Sequence, residues 1–355
     1  MKGARMSPDT LWFTRCPAPT AAAIAIHNGW LAEEFAGDGI AVRSLASAPD
    51  RSAHLSHYLH TQPNSFRFGG YVPPLAAAAE GADLKIIGLA CPGRTAAILT
   101  LPEKAGIGLA GSRLAVPRRL NDPVDWWLAT VLDAHDRALA RTDLGLADVR
   151  QVDVPIAREY VEDATFGSGA VQSLWGARSQ FAVQREECMA LIRGEVDAIY
   201  SDGAMGALVC TFLGLVPIVD LSGSEDDALG PERYPAVLTV SATLLERRPD
   251  LVDRWVDRLL NADAWARRHR TKAWRIIAQD TGLPEDLVGL AYSERVNEEL
   301  DLSLAPERIT ILQKKHDGLV RHGFIRQPLD LSKWIDPGPL ERALARRAEA
   351  TRTAA

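Results

Sequence analysis

The sequence predicts a mixed α/β protein built as two lobes, and three observations carry that expectation. The chain has 355 residues, more than a single hydrophobic core usually serves, since domains cluster near about 100–150 residues. Short apolar runs alternate with stretches of helical periodicity, the pattern of parallel strands joined by covering helices. The last third loses its strand signals and turns helical, as a segment that packs back on an earlier core does. With 47% hydrophobic and 24% charged residues and a mean hydropathy of −0.07, the chain has the composition of a soluble globular protein.

Taken in order, Leu11–Cys16 reads as a strand ended by Pro17 and Pro19. Thr20–Phe35 has helical spacing and closes at Gly37 and Gly39, and Ile40–Leu45 follows as a second strand, which completes a β-α-β unit. Lys85–Ala90, Ala96–Leu101, Leu114–Pro117, Val149–Val154, Val196–Tyr200, Val216–Leu221 and Ala236–Val240 are further strands. Asp125–Arg141 and Gln184–Arg193 are helical, as are Leu244–Ala278, Glu285–Glu294 and Pro306–His322. The expected division is residues 1–102 for the first lobe and 103–222 for the second. Residues 223–355 then return to the first lobe with extra C-terminal helices.

Several function classes are excluded as expectations. The formal charge is −6 and no long basic stripe exists, so nucleic acid is not an expected partner. Arg342, Arg346, Arg347 and Arg352 read as the solvated face of a last helix, with Glu341 and Glu349 interleaved. The apolar run Ala207–Val219 is broken by Gly214 and Pro217 and is too short to span a bilayer. Residues 1–10 carry no secretory pattern. Cys16, Cys91, Cys188 and Cys210 fit neither a disulfide framework nor paired zinc ligands. A cytoplasmic monomer is the expectation.

Two places carry chemistry. Cys16 ends the first strand, where ligands of open α/β sheets bind. The segment 54–70 then gathers three of the chain's eight histidines, His54, His57 and His60, followed by Gln62, Arg67, Gly69 and Gly70. Histidines three apart share a helical face and admit a metal reading with Cys16. No H-E-x-x-H pattern supports it and Pro63 interrupts the helix, so neither a metal nor another cofactor is expected. The other reading pairs an acid/base histidine with Arg67, whose planar fork suits a two-oxygen anion, beside glycine N–H groups that a ligand can approach.

Thr14-Arg15-Cys16-Pro17-Ala18-Pro19 and His57-Tyr58-Leu59-His60-Thr61-Gln62-Pro63 form the first two of these motifs. Arg67-Phe68-Gly69-Gly70 and Pro73-Pro74-Leu75 follow them. All resemble the active-site segments of the 2′-hydroxybiphenyl-2-sulfinate desulfinase family, C–S bond hydrolases that take part in desulfurization. The resemblance implies the two-lobed, type II periplasmic-binding-protein-like fold. Gly194–Ala198 and Leu244–Val252 also resemble members of that fold. It further implies Cys16, His57 and Arg67 as catalytic residues, with Thr14, His60, Gln62, Gly69 and Gly70 binding substrate. Thr14 stands where the family has serine, and His60 where it has a pocket tyrosine. Trp126, Trp127 and Trp175 are candidates for an aromatic wall, although ordinary packing accounts for them as well.

An aromatic sulfinate held by Arg67 leaves two routes. Attack of a Cys16 thiolate on sulfur sets two negative charges together and expels an aryl carbanion, which is disfavoured. Proton donation from the Cys16 thiol to the ring carbon lets sulfur dioxide leave and hydrate to sulfite, with His57 serving the thiol. The rival reading is a non-catalytic solute-binding protein that delivers a sulfonate-like anion to an ABC transporter.

Overall fold

The structure is a computed structural model that describes residues 9–160, 183–223 and 234–354. The chain divides into two compact units. The first comprises residues 1–92, 234–280 and 297–355, and the second residues 93–233 and 281–296.

The first unit opens with β1 (Thr10–Arg15), α1 (Ala21–His27), α2 (Trp30–Ala36), β2 (Ala41–Ser44) and α3 (Arg51–Leu59). It continues through β3 (Ser65–Gly70), α4 (Val72–Ala79) and β4 (Lys85–Ala90). The single helix expected over 20–35 is two, because Gly29 has φ 77°, a left-handed conformation that a helix interior cannot contain. Asn28 caps the first of the two through its amide on the Ile24 carbonyl.

The second unit contains β5 (Ala96–Thr100), β6 (Arg113–Arg119), α5 (Trp126–Arg141), β7 (Arg150–Ile156) and α6 (Arg185–Ile192). β8 (Ile199–Asp202), α7 (Gly203–Leu213) and β9 (Val216–Asp220) complete its main run. β5 lies between β8 and β9 in an antiparallel sheet, while β6 and β7 pair in parallel. The sequence boundary placed β5 in the first lobe. Its hydrogen-bond partners put it in the second, so the chain passes between units at Pro92–Gly93. The acidic hub of this unit is Asp197, which takes N–H groups from Arg113 and Lys104; these hold its carboxyl far below the usual range.

Back in the first unit, β10 (Ala236–Val240) slots between β3 and β4 and runs antiparallel to both, giving the sheet order β2-β1-β3-β10-β4. The long helix expected over 244–278 is cut into α8 (Ala242–Arg247), α9 (Pro249–Arg268) and α10 (Arg270–Thr281). Pro249 forces the first cut, since it lacks the N–H that a continuing helix needs and restricts Arg248 before it. The helix expected over 285–294 shrinks to a 3-10 turn and α11 (Val288–Ala291), and these residues lie with the second unit. α12 (Pro306–Arg321) and α13 (Gly338–Ala354) follow. The arginines of α13 are not merely solvated. Arg342 and Arg346 hold Asp253 and Asp257 on α9, at distances from 2.7 to 2.8 Å.

Strand alternation gives this five-stranded sheet two different faces. One face carries Leu11, Phe13, Phe66, Phe68, Leu238 and Val240, packed in the main core with α1 and α9. There Trp255 is 1% exposed and stacks on Phe66 at 4.0 Å between centroids and 3° between planes. The other face carries Trp12, Thr14, Cys16, Arg67, Gly69 and Thr239. Trp12 packs with Leu45, Ala48 and Ala53 at the base of α3, so α3 covers this second face.

Candidate active site

Cys16 follows β1 by one residue, and its N–H still bonds the Phe68 carbonyl at 3.1 Å. That bond extends the β1–β3 ladder, in which Thr14 pairs with Arg67 and Arg15 with Phe68. Thr14, Cys16 and Arg67 therefore share a face by register. α3 brings His57 over them from its last turn. Asp50 caps the start of this helix through Ser52 N–H, and His60 ends it in a left-handed conformation with φ 53°.

His57 sits between two of these side chains. Its Nδ1 lies 2.9 Å from Thr14 Oγ1 and its Nε2 lies 3.9 Å from Cys16 Sγ. Arg67 is 2% exposed and binds in three directions. Its Nε donates to the His57 carbonyl at 2.9 Å, in the last turn of α3, where carbonyls lack intrahelical donors. Nη1 donates to the Gly70 carbonyl at 2.9 Å. Nη2 lies 3.7 Å from Cys16 Sγ. Thiol, imidazole and guanidinium thus meet at the end of β1.

The chain has known relatives. The chain is 30% identical to 2′-hydroxybiphenyl-2-sulfinate desulfinases of Rhodococcus erythropolis and Rhodococcus qingshengii, over 95% of this chain and 94% of each relative. It belongs to the 2′-hydroxybiphenyl-2-sulfinate desulfinase family. The solved structure of the desulfurization enzyme DSZB matches with a TM-score of 0.75 at 28% identity, covering 96% of this chain and 99% of that one. A cysteine-to-serine variant of DSZB in complex with biphenyl-2-sulfinic acid matches with a TM-score of 0.74 at 27% identity, covering 95% and 99%. The periplasmic aliphatic sulphonate-binding protein SsuA of Escherichia coli matches with a TM-score of 0.61 at 16% identity, covering 93% and 92%. That likeness speaks to the fold alone, which is the two-lobed periplasmic-binding-protein-like fold. No family model matches the chain.

In this member of the desulfinase family, burial and one cation set the protonation of the site. His57 is held well below the ordinary histidine range, first by loss of water, then by the Arg67 cation, and least by its neighbour His60. His60 is lowered to about 3 for the same leading reasons, burial and then Arg67, with the Tyr58 carbonyl opposing. Both rings are neutral near pH 7. His60 Nδ1 lies 3.2 Å from the Tyr58 carbonyl, which only accepts, so Nδ1 carries the proton. Nε2 is then an acceptor for the Thr239 hydroxyl at 3.2 Å.

The expected site residues therefore fall into groups. Cys16, His57, Arg67, Thr14, Gly69 and Gly70 come together. His60 is adjacent, but both of its ring nitrogens are taken by protein groups. Gln62 is tied through its backbone, its N–H to Ser56 Oγ and its carbonyl to Ser65 Oγ. The three histidines do not converge as a metal set would, because His54 turns to the Ala48 carbonyl at 2.8 Å. Among the described residues no cluster of three or more His, Cys, Asp or Glu is placed to hold a metal.

Trp127 is buried in the second unit, with its indole N–H donated to Glu187 at 2.6 Å, and Trp126 packs on Trp127 and Tyr160. Trp175 lies outside the described residues. Sequence reading missed Thr239 and Tyr234, which reach the site from β10 and its approach. It also missed Asp280, which pairs with Arg15 beside Cys16. Nothing local in the sequence marks any of the three. No helix among the described residues is long and apolar enough to cross a membrane.

Proposed function

We propose that this protein is a cofactor-independent desulfinase that cleaves the C–S bond of an aromatic sulfinate and releases sulfite, with Cys16 as proton donor. The observation that carries the reading is the approach of His57 Nε2 and Arg67 Nη2 to one sulfur, at 3.9 and 3.7 Å. They do so in a chain related to desulfinases along nearly its whole length.

Arg67 binds and orients. Of the five guanidinium N–H groups, three face the His57 carbonyl, the Gly70 carbonyl and the sulfur. Among the described residues one N–H remains open on each terminal nitrogen, a fork matched to the two oxygens of a sulfinate. With the sulfinate so held, the Cys16 thiol donates its proton to the ring carbon that bears sulfur. The C–S bond then breaks, its electron pair restores the aromatic ring, and sulfur dioxide departs. Water adds to sulfur dioxide to give hydrogensulfite and a proton, and that proton returns to the Cys16 thiolate. The sum is one sulfinate and one water giving one arene and one hydrogensulfite.

His57 fits the return step. An imidazole whose cation is disfavoured by burial and by Arg67 does not strip the resting thiol, and it passes a proton on rather than keeping it. Thr14 fixes the ring by its contact with Nδ1. His60, turned to Thr239, supports the site from behind rather than contacting substrate.

Incubation with a panel of aryl sulfinates, with sulfite and arene measured together, tests the reading. Equal amounts of the two products are expected from at least one member. A protein that only binds its ligand would raise its melting temperature without releasing sulfite, and that outcome would overturn the assignment.

A further inference from the structure

The adjacent glycines Gly69 and Gly70 are each barred from carrying a side chain, and by different neighbours. A Cβ on Gly69 would fall on Cys16 Sγ and lie 2.9 Å from Cys16 Cβ. A Cβ on Gly70 would fall on the Tyr234 hydroxyl and lie 3.0 Å from Cε1 and 3.1 Å from Cζ of the same ring. Neither glycine has a positive φ, so the requirement is for space rather than for an unusual backbone. Successive strand residues point to opposite faces. The thiol and the phenol therefore close on the same short stretch of β3 from two sides.

We propose that Tyr234 is a positioning residue of the active site. Its phenol occupies the side-chain space of residue 70 and holds the Gly70 peptide where its carbonyl receives Arg67, which sets the guanidinium at the Cys16 sulfur. The inference rests on the reading of Cys16 and Arg67 as the groups that act on substrate.

The chain of contacts is short and stiff. Arg67 Nη1 donates to the Gly70 carbonyl at 2.9 Å and Nη2 lies 3.7 Å from Sγ. The guanidinium is planar and rigid, so placing one terminal nitrogen places the other. Tyr234 is itself supported. Its ring lies 5.0 Å from that of Tyr71 at 60°, and Lys315 Nζ stands 6.0 Å over the Tyr71 ring. Two residues later Ala236 pairs with Gly70 in the β10–β3 ladder. With the ring removed, the Gly70 peptide loses the surface that stops it on that side, and the Arg67 fork follows its carbonyl away from the sulfur.

The test needs no sulfinate. Alkylation of Cys16 by iodoacetate and by iodoacetamide is followed on the Cys16 peptide by mass spectrometry, and the ratio of the two rates reports the cation beside the sulfur. Arg67→Ala is expected to lower the ratio about fivefold, the scale of one unit-charge attraction over a few ångströms of water.

Tyr234→Ala is expected to move the ratio most of the way to the Arg67→Ala value. Tyr234→Phe, which keeps Cε1 and Cζ against residue 70, should stay close to the native value. Gly70→Ala should lower the ratio, and adding Tyr234→Ala to it should restore part of the loss. Tyr234→Leu serves in place of Tyr234→Ala if the latter does not fold. A ratio unchanged in Tyr234→Ala and in Tyr234→Leu overturns the proposal, as does a fall in melting temperature with no change of ratio. Should the ratio fall as expected while the native protein releases no sulfite from any aryl sulfinate, the positioning role stands and the proposed reaction fails.

Discussion

Acid should destabilise this protein through His60, and the size of the effect follows from where the ring sits. His60 is 9% exposed. It gives Nδ1–H to the Tyr58 carbonyl, takes the Thr239 hydroxyl on Nε2, and feels the Arg67 cation. The folded chain resists protonating it until about pH 3, whereas the unfolded chain protonates it near 6.5. Above pH 6.5 both states hold the ring neutral and it contributes no pH dependence. As pH falls through 6.5 the unfolded state takes up the proton first, so the folded state loses ground until the folded value is reached.

At 1.36 kcal/mol per pH unit, the loss from this one ring is about 2 kcal/mol on going from neutral pH to about pH 5. His60→Asn keeps a donor and an acceptor and tolerates the left-handed backbone, and it removes the titration. Urea unfolding of both proteins at about pH 7 and about pH 5 reads the difference. The native protein should lose about 2 kcal/mol more than the variant over that interval. Equal losses in the two proteins would refute the burial argument.

Three further outcomes are expected. Arg67→Ala removes the buried donors that reach the His57 and Gly70 carbonyls, so chemical unfolding should show a loss of about 2–4 kcal/mol, and tight binding of sulfinate should go with it. Gly69→Ala drives a methyl group onto Cys16; sulfite release should fall at least about tenfold, which corresponds to ~1.4 kcal/mol of misplacement, while Ala at the exposed Gly37, where a Cβ meets nothing, leaves the rate unchanged. Glu187 is buried with one oxygen on the Trp127 indole, and burial raises its carboxyl to about 7. It favours the folded state below about pH 4.5 and loses that advantage as pH rises through 7, so Glu187→Gln should be more stable than the native protein at about pH 8, by roughly 3 kcal/mol, and no more stable near pH 4.

The candidate site was legible where its groups lie on short, distinctive segments. Alternation along Trp12-Phe13-Thr14-Arg15-Cys16 already separates a core face from a site face, and Arg67 falls into step with Thr14 once β1 and β3 pair. What lay hidden depends on contacts remote in sequence. Thr239 arrives on β10, and Tyr234 two residues before it, more than 160 residues later, where the strand inserts antiparallel between β3 and β4. His60 looks like a pocket residue in the motif, yet its left-handed cap turns the ring toward Thr239. The break at Gly29 and the transfer of β5 to the second unit followed from one backbone angle and one set of strand partners, neither of which apolar periodicity encodes. The arginines of α13 read as solvated only until α9 supplied Asp253 and Asp257 opposite them.

The central claim is that the Cys16 thiol supplies the proton that releases sulfite. Sulfite production by the Cys16→Ser protein, measured beside its sulfinate-induced rise in melting temperature, tests it most directly. The serine protein should bind the sulfinate, shown by an undiminished thermal shift, and yield essentially no sulfite. Turnover at the native rate by the serine protein would contradict the account.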